Sequence, residues 1–291
     1  MLDASTATEL HDLSGLIRAH PRFAEARRAY IDAGLKMYEH EPAVNKLMLE
    51  AGRMLLFGVV LCLAAAHDEA DRASWASITR LQAALAGFGA ASPRQIDQII
   101  ARLAQAGFLR LVPAPTDRRT RLVMPAQPLL EHDLDWLEVN FLPLHIMFPE
   151  PGYPLPMRRD PDFQRAQRVA ALSILPWAGR IMSENPPMLP FLRRYAGGLV
   201  LMKLIQARAD AAPGGLNFTD LGARFAVSRT HIRALLEEAE QLGLVELTGR
   251  ARRQVRLLPP VLAAYDQFVA DSMAAHELTH RMALSALAGP G

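Results

Sequence analysis

Residues 92–109, SPRQIDQIIARLAQAGFL, and residues 228–245, SRTHIRALLEEAEQLGLV, align without a gap. Ser92 falls on Ser228, Ile96 on Ile232, Gln105 on Gln241 and Gly107 on Gly243. In the second stretch Ile232, Leu235, Leu236, Ala239 and Leu242 keep the 3.6-residue period, which predicts a helix with one buried stripe. A serine at the start accepts from a backbone N–H, and a glycine at the end takes the left-handed stop. The free first turns then carry Ser228, Arg229, Thr230, His231 and Arg233 in one stretch. The other has Ser92 as cap, Pro93 at the first helical position, and Arg94, Gln95 and Gln98 exposed.

Working outward, a shorter apolar helix is expected just before each stretch, at 79–85 and 219–225, with Thr79 and Thr219 as caps. Helix, tight turn, helix is the frame in which the second helix enters a major groove. A hairpin is expected after each. The first runs from strand 108–112 through PAPTDRR (113–119) into 120–124, and the second from 244–247 through GRARR (249–253) into 254–258. Their tips and flanks offer Arg118, Arg119 and Arg121 in one, and Arg250, Arg252 and Arg253 in the other. Arginine at a hairpin tip suits a minor groove or a phosphate.

The likeness continues upstream, at a spacing of about 140 residues. His20-Pro21-Arg22-Phe23 is answered by Asp160-Pro161-Asp162-Phe163, each opening an amphipathic helix. Glu41-Pro42 is answered by Asn185-Pro186, and an apolar helix containing Ala51-Gly52 by one containing Ala196-Gly197. Pro143, Pro149, Pro151, Pro154 and Pro156 exclude regular helix and mark the connection. The expected architecture is therefore mainly α and internally duplicated: a first repeat at 1–145 with its winged helix at 75–130, a second at 146–291 with its winged helix at 210–262, a helical dimerisation-like body and two small β-wings.

The first hairpin, Asp117-Arg118-Arg119-Thr120-Arg121-Leu122-Val123, resembles the Asp-x-Arg wing motif of the MarR family of bacterial regulators. The flanking helices resemble that family's dimerisation body. The resemblance implies that Arg119 is the minor-groove residue and Asp117 its support, and that each repeat stands for one family subunit. Residues 228–233, SRTHIR, resemble instead the recognition-helix signature of GntR-type regulators. Those carry a single such unit, so the duplicated layout favours a fused, MarR-like pseudo-dimer.

Composition limits the alternatives. A net charge of +2 means that any basic surface has to be local, and with lysine only at positions 36, 46 and 203, arginine supplies it. Residues 54–66, MLLFGVVLCLAAA, are too short to cross a bilayer and predict a buried helix. The N-terminus has no basic patch leading into an apolar run, and Cys62 is the single cysteine, so a cytoplasmic protein without a disulfide is expected. Lying among valines and leucines, Cys62 reads as a structural thiol and not a redox sensor. His276 and His280 stand one helical turn apart but lack completing ligands, so no metal and no cofactor is expected. Trp75, Trp136 and Trp177 are candidates for an effector cavity, against the plainer reading that they are core. No phosphate loop, nucleophile elbow or paired carboxylates indicate an enzyme.

The function expected is a sequence-specific transcriptional regulator, active as a single chain on double-stranded DNA, with two recognition helices in successive major grooves of an imperfectly palindromic operator. A small-molecule effector and further self-association stay open, and no membrane partner is expected. The other reading is a tandem winged-helix protein of protein interaction or of chromosome or plasmid maintenance. The wing arginines speak against the first, and the low net charge against the second.

Overall fold

The computed structural model describes residues 3–38, 51–86, 88, 92–210, 218–225, 227–249 and 254–289. They are mainly helical, with two small antiparallel sheets of two strands each. Helices α1 (Ala4–Ala19) and α2 (Phe23–Tyr38) lead to α3 (Ala51–Ala65), α4 (Ile78–Ala86), α5 (Pro93–Gln105), strands β1 (Leu109–Pro113) and β2 (Arg121–Pro125), and α6 (Gln127–Met147). A four-residue helix, α7 (Pro154–Met157), precedes α8 (Pro161–Ser173), α9 (Leu175–Ser183), α10 (Leu189–Arg193) and α11 (Gly197–Ala209). Then come α12 (Phe218–Arg224), α13 (Arg229–Gln241), β3 (Val245–Thr248), β4 (Gln254–Leu257) and α14 (Pro259–Ala288). Helix, helix, hairpin and long helix thus follow one another in the same order twice.

Local chemistry sets the ends of these elements. Asp3 and Asp160 cap α1 and α8 by accepting from Thr6 N and Phe163 N. Gly107 and Gly243 take positive φ of 81° and 68° after α5 and α13, and the next residues' N–H groups donate back to Leu103 O and Ala239 O. Two expected boundaries shift. Helix α4 begins at Ile78, and the Ser77 hydroxyl, not Thr79, accepts from Arg80 N at 3.3 Å. Pro143 lies inside α6, so the proline-rich connection begins only after Met147. Proline lacks the N–H that would reach back to Val139 O, a loss of one bond, and one turn earlier Asn140 Nδ2 donates to Trp136 O at 2.8 Å. Helix α12 already includes Phe218, so Thr219 stands inside it, and its side chain, like the Glu41-Pro42 pair, is outside the described residues.

The helices pack reciprocally. Helix α2 pairs along α6, and α8 along α14. Each of these pairs is then crossed by the apolar helix of the other half: α3 lies on α8, and α11 on α2, where Gly34 meets Met202. The segment ahead of each first helix likewise leans on the far half's long helix, α1 on α14 and α7 on α6. Polar groups tie the same surfaces. Ser14 Oγ donates to Asp271 Oδ1 at 2.6 Å, Arg27 Nη1 to Asp266 Oδ1 at 2.5 Å and Gln167 Nε2 to Thr279 Oγ1 at 3.0 Å.

Among the described residues two main apolar cores result, beside a small cluster of Trp75, Ala114 and Leu122. The larger joins α1, α2, α6, α8, α9, α11 and α14 with α12, α13, β3 and β4. The smaller joins α3 with α4, α5, β1 and β2, touched at its margin by Leu172 and Leu175. Cys62 is buried in α3, and burial pushes its thiol up to about 11, which suits an inert core residue. Among the described residues no helix is long and apolar enough to cross a membrane.

Candidate nucleic-acid interface

Helix α5 buries Ile96, Ile99, Ile100 and Leu103, and its opposite face carries Arg94, Asp97, Gln98 and Arg102 in solvent. Ser92 caps it: its hydroxyl accepts from Gln95 N at 3.4 Å, and Gln95 Oε1 accepts from Ser92 N at 2.8 Å. This reciprocal pair holds the first turn by engaging Gln95 Oε1, while the side chain is exposed as expected. Pro93 occupies the first helical position, exposed. Gln82 Nε2 donates to Asp97 Oδ1 at 2.8 Å and fastens α5 to α4.

Helix α13 repeats the plan with different side chains. Ile232, Leu235, Leu236 and Ala239 are buried, while Arg229, Thr230, Arg233 and Glu237 are exposed. Ser228 caps it, accepting from His231 N at 3.1 Å. Two expectations fail here. The His231 ring is half-buried, its Nε2 2.9 Å from Tyr195 O and its plane at 76° to the Tyr195 ring with 6.3 Å between centroids, so it anchors the helix to the body. Leu242 is 58% exposed, because α13 ends at Gln241 and the chain turns before the stripe reaches it. On the inner side Arg194 Nε donates to Glu238 Oε2 at 2.7 Å. What remains exposed, without an ion-pair partner among the described residues, is a row of two arginines one turn apart, Arg229 and Arg233.

The first hairpin is held at its base and open at its tip. Trp75, Ala114 and Leu122 bury together beneath it, and Val123 N donates to Ala76 O at 2.8 Å, adding the segment before α4 to the sheet's edge. Asp117 shapes the tip: its carboxylate accepts from Thr120 Oγ1 at 2.8 Å and Arg119 N at 3.1 Å, which holds its pKa below the usual carboxylate value. It therefore supports the backbone of Arg119 and not the guanidinium. The guanidinium near it is that of Arg72, 3.5 Å away and lying over the Trp75 ring. Arg118, Arg119 and Arg121 are exposed, without an ion-pair partner among the described residues. In the second hairpin Glu246 pairs with Arg256 across the strands, and Gly249 turns the chain at φ 74°. Arg250, Arg252 and Arg253 lie outside the described residues.

No family model, curated protein or solved structure matches the chain.

Sequence reasoning missed two groups. Arg102 stands one turn beyond Gln98 on the free face of α5, a spacing that the pattern already contained. Arg72 carried no local signal, since its link to Asp117 spans 45 residues. The three tryptophans do not meet. Trp75 lies under the first hairpin, and Trp177 is buried with Nε1 3.3 Å from Asp271 O. Trp136 walls a small cavity of about 100 Å³ with Tyr38, Phe57, His132 and Arg168. The His276 and His280 imidazoles are packed among Trp136, Phe141, Tyr153 and Phe163, and no group of metal-ligating side chains occurs among the described residues.

Proposed function

We propose that the chain is a sequence-specific DNA-binding regulator, built as two fused MarR-like halves that read successive major grooves without needing a second chain. The observation that carries this reading is the pair of serine-capped helices, α5 and α13, each buried along one face and bearing on the other arginines without an ion-pair partner among the described residues: Arg94 and Arg102, and Arg229 and Arg233. Guanidinium groups held on a rigid helix face suit bidentate contact with guanine edges. The exposed Arg118, Arg119 and Arg121 beside α5 suit phosphate or minor-groove contact, and the tethered Asp117 turn presents them without first having to order a loop.

The pseudo-dimeric part of the reading draws on the repeated element order and on the exchanged packing of α3 with α8 and α11 with α2. In a two-chain regulator such an interface is isologous, and here one backbone supplies both sides. Because Arg229 and Arg233 face Pro93 and Asp97 in the alignment, the two halves cannot read the same bases, and the operator is an imperfect palindrome with half-sites about one helical turn apart.

Selection of bound sequences from a random duplex library, followed by anisotropy titration, tests the proposal. Arg229→Ala and Arg233→Ala each relax preference at one half-site only, by about 1–3 kcal/mol of discrimination. Arg119→Ala weakens all duplexes alike and lowers the salt slope by about one. A library that yields no enriched sequence, or a double variant at 229 and 233 with unchanged preference, refutes it.

A further inference from the structure

We propose that the corner between α10 and α11, residues 194–197, is a two-point brace on the back of α13, and that it makes the half-site read by α13 the more exacting of the two. The role rests on the DNA-reading proposal and falls to Arg194, His231 and Glu238, positioning residues that act through α13. Helix α13 lies against α10. Its His231 ring donates from Nε2 to Tyr195 O at 2.9 Å, and Arg194 Nε donates to Glu238 Oε2 at 2.7 Å. Positions 231 and 238 are seven apart, so they share one helix face about 10 Å from each other along the axis. Arg229 and Arg233 each stand two residues from His231, about 200° round the helix, on the exposed side. Two points held on one face fix both the height and the rotation of the helix, and so where the guanidinium groups on the opposite face point.

The corner is strained, which sets it apart from an ordinary loop. Ala196 is buried in the left-handed region, at φ 54°, where a side chain crowds the backbone. Gly197 has no room for a Cβ, which would run into Phe191 O, and its N–H donates to Arg194 O at 3.0 Å. This tight turn breaks the run from α10 into α11, and the carbonyl just before it, that of Tyr195, meets His231. The other half is built differently. In α5 the positions of His231 and Glu238 are taken by Gln95, which completes the Ser92 cap, and by Arg102, exposed without an ion-pair partner among the described residues. Among the described residues α5 is thus not tied to the body at these two points, and a reading helix that can shift on its seat tolerates more sequences.

Affinity measurements of the full chain on its selected operator and on every single-base variant of it test the brace. Arg229→Ala identifies the half-site read by α13. In the parent a base change there is expected to weaken binding about tenfold or more, against about threefold in the other half-site. His231→Leu and Arg194→Met should each bring the first figure down to about threefold and leave the second unchanged, and Arg194→Lys, which keeps a donor for Glu238, should hold it near the parent's. Asp160→Ala is the control for lost stability: it removes the cap of α8, lowers the thermal midpoint and leaves both figures as in the parent. Equal figures at the two half-sites of the parent, unchanged figures in folded His231→Leu and Arg194→Met, relaxation of both half-sites alike, or the same relaxation in Asp160→Ala each overturns the brace and leaves the DNA reading standing. A random library from which the parent enriches no sequence refutes the DNA reading itself, and the brace with it.

Discussion

Arg168 and Asp133 are buried together where α8 meets α6. Arg168 Nε lies 3.0 Å from Asp133 Oδ2, its Nη2 donates to Oδ1, Gln164 Nε2 adds a third bond at 2.8 Å, and the guanidinium stacks on Trp136. Such a pair repays its own desolvation only while both members are present. Asp133→Asn should therefore cost about 3–5 kcal/mol, seen as a lower urea midpoint, whereas Asp133→Leu combined with Arg168→Met should recover most of that loss. A second residue-scale prediction concerns acid. Burial, aided by the Arg168 charge, holds the His276 imidazole down to about 3, and burial with Arg281 nearby holds His280 to about 4. The charged groups around them also include Glu277, which pairs with Arg281 and accepts from Tyr153, and Asp133. Below the ordinary value of about 6.5 the unfolded chain takes up protons that the folded chain refuses, so stability falls as the pH drops from about 6.5 toward 4. His276 alone contributes about 1.4 kcal/mol per pH unit across that window. Denaturant midpoints at several pH values should show the slope, and His276→Phe should flatten it.

At the scale of elements, α5 and α13 share a length of 13 residues and a serine cap, yet differ in how the cap is completed. In α5 Gln95 reciprocates the cap, while in α13 the equivalent His231 reaches Tyr195 instead. Ser92→Ala and Ser228→Ala should each cost about 1 kcal/mol by thermal denaturation. Gln95→Ala should lower stability without altering base preference, which separates a residue that builds the helix from one that reads DNA. A change in the selected sequence on Gln95→Ala would return that side chain to the interface.

At the scale of the whole molecule, exchange between halves governs the outcome. Because α3 needs α8 and α11 needs α2, neither half can cover its own apolar helix. Residues 1–147 and 148–291 made as separate chains should each be unfolded or aggregated alone, and should combine one to one into a folded pair when expressed together. Cooperative folding of either piece in isolation, followed by circular dichroism, would contradict this. The two cores are unequal even so. The second helix-hairpin unit is continuous with the helical body, while the first has a core of its own with α3, on which Leu172 of α8 and Leu175 of α9 pack.

Much of this was legible in the residues themselves, for a local reason. Helical periodicity, serine caps, stop glycines and alternating strands act over fewer than ten residues, so the two helix-hairpin units and the burial of Cys62 could be read from the chain. Such rules failed where a distant group competed. His231 looked exposed because the sequence shows a helix face but not the partner that captures a side chain on it. Pro143 looked like a breaker because local rules omit the packing that carries α6 through it. The Arg72–Asp117 contact, the Arg168–Asp133 pair and the separation of the three tryptophans were decided only by tertiary structure. Each joins residues tens of positions apart, and what brings them together is the burial of each half's apolar helix against the other half.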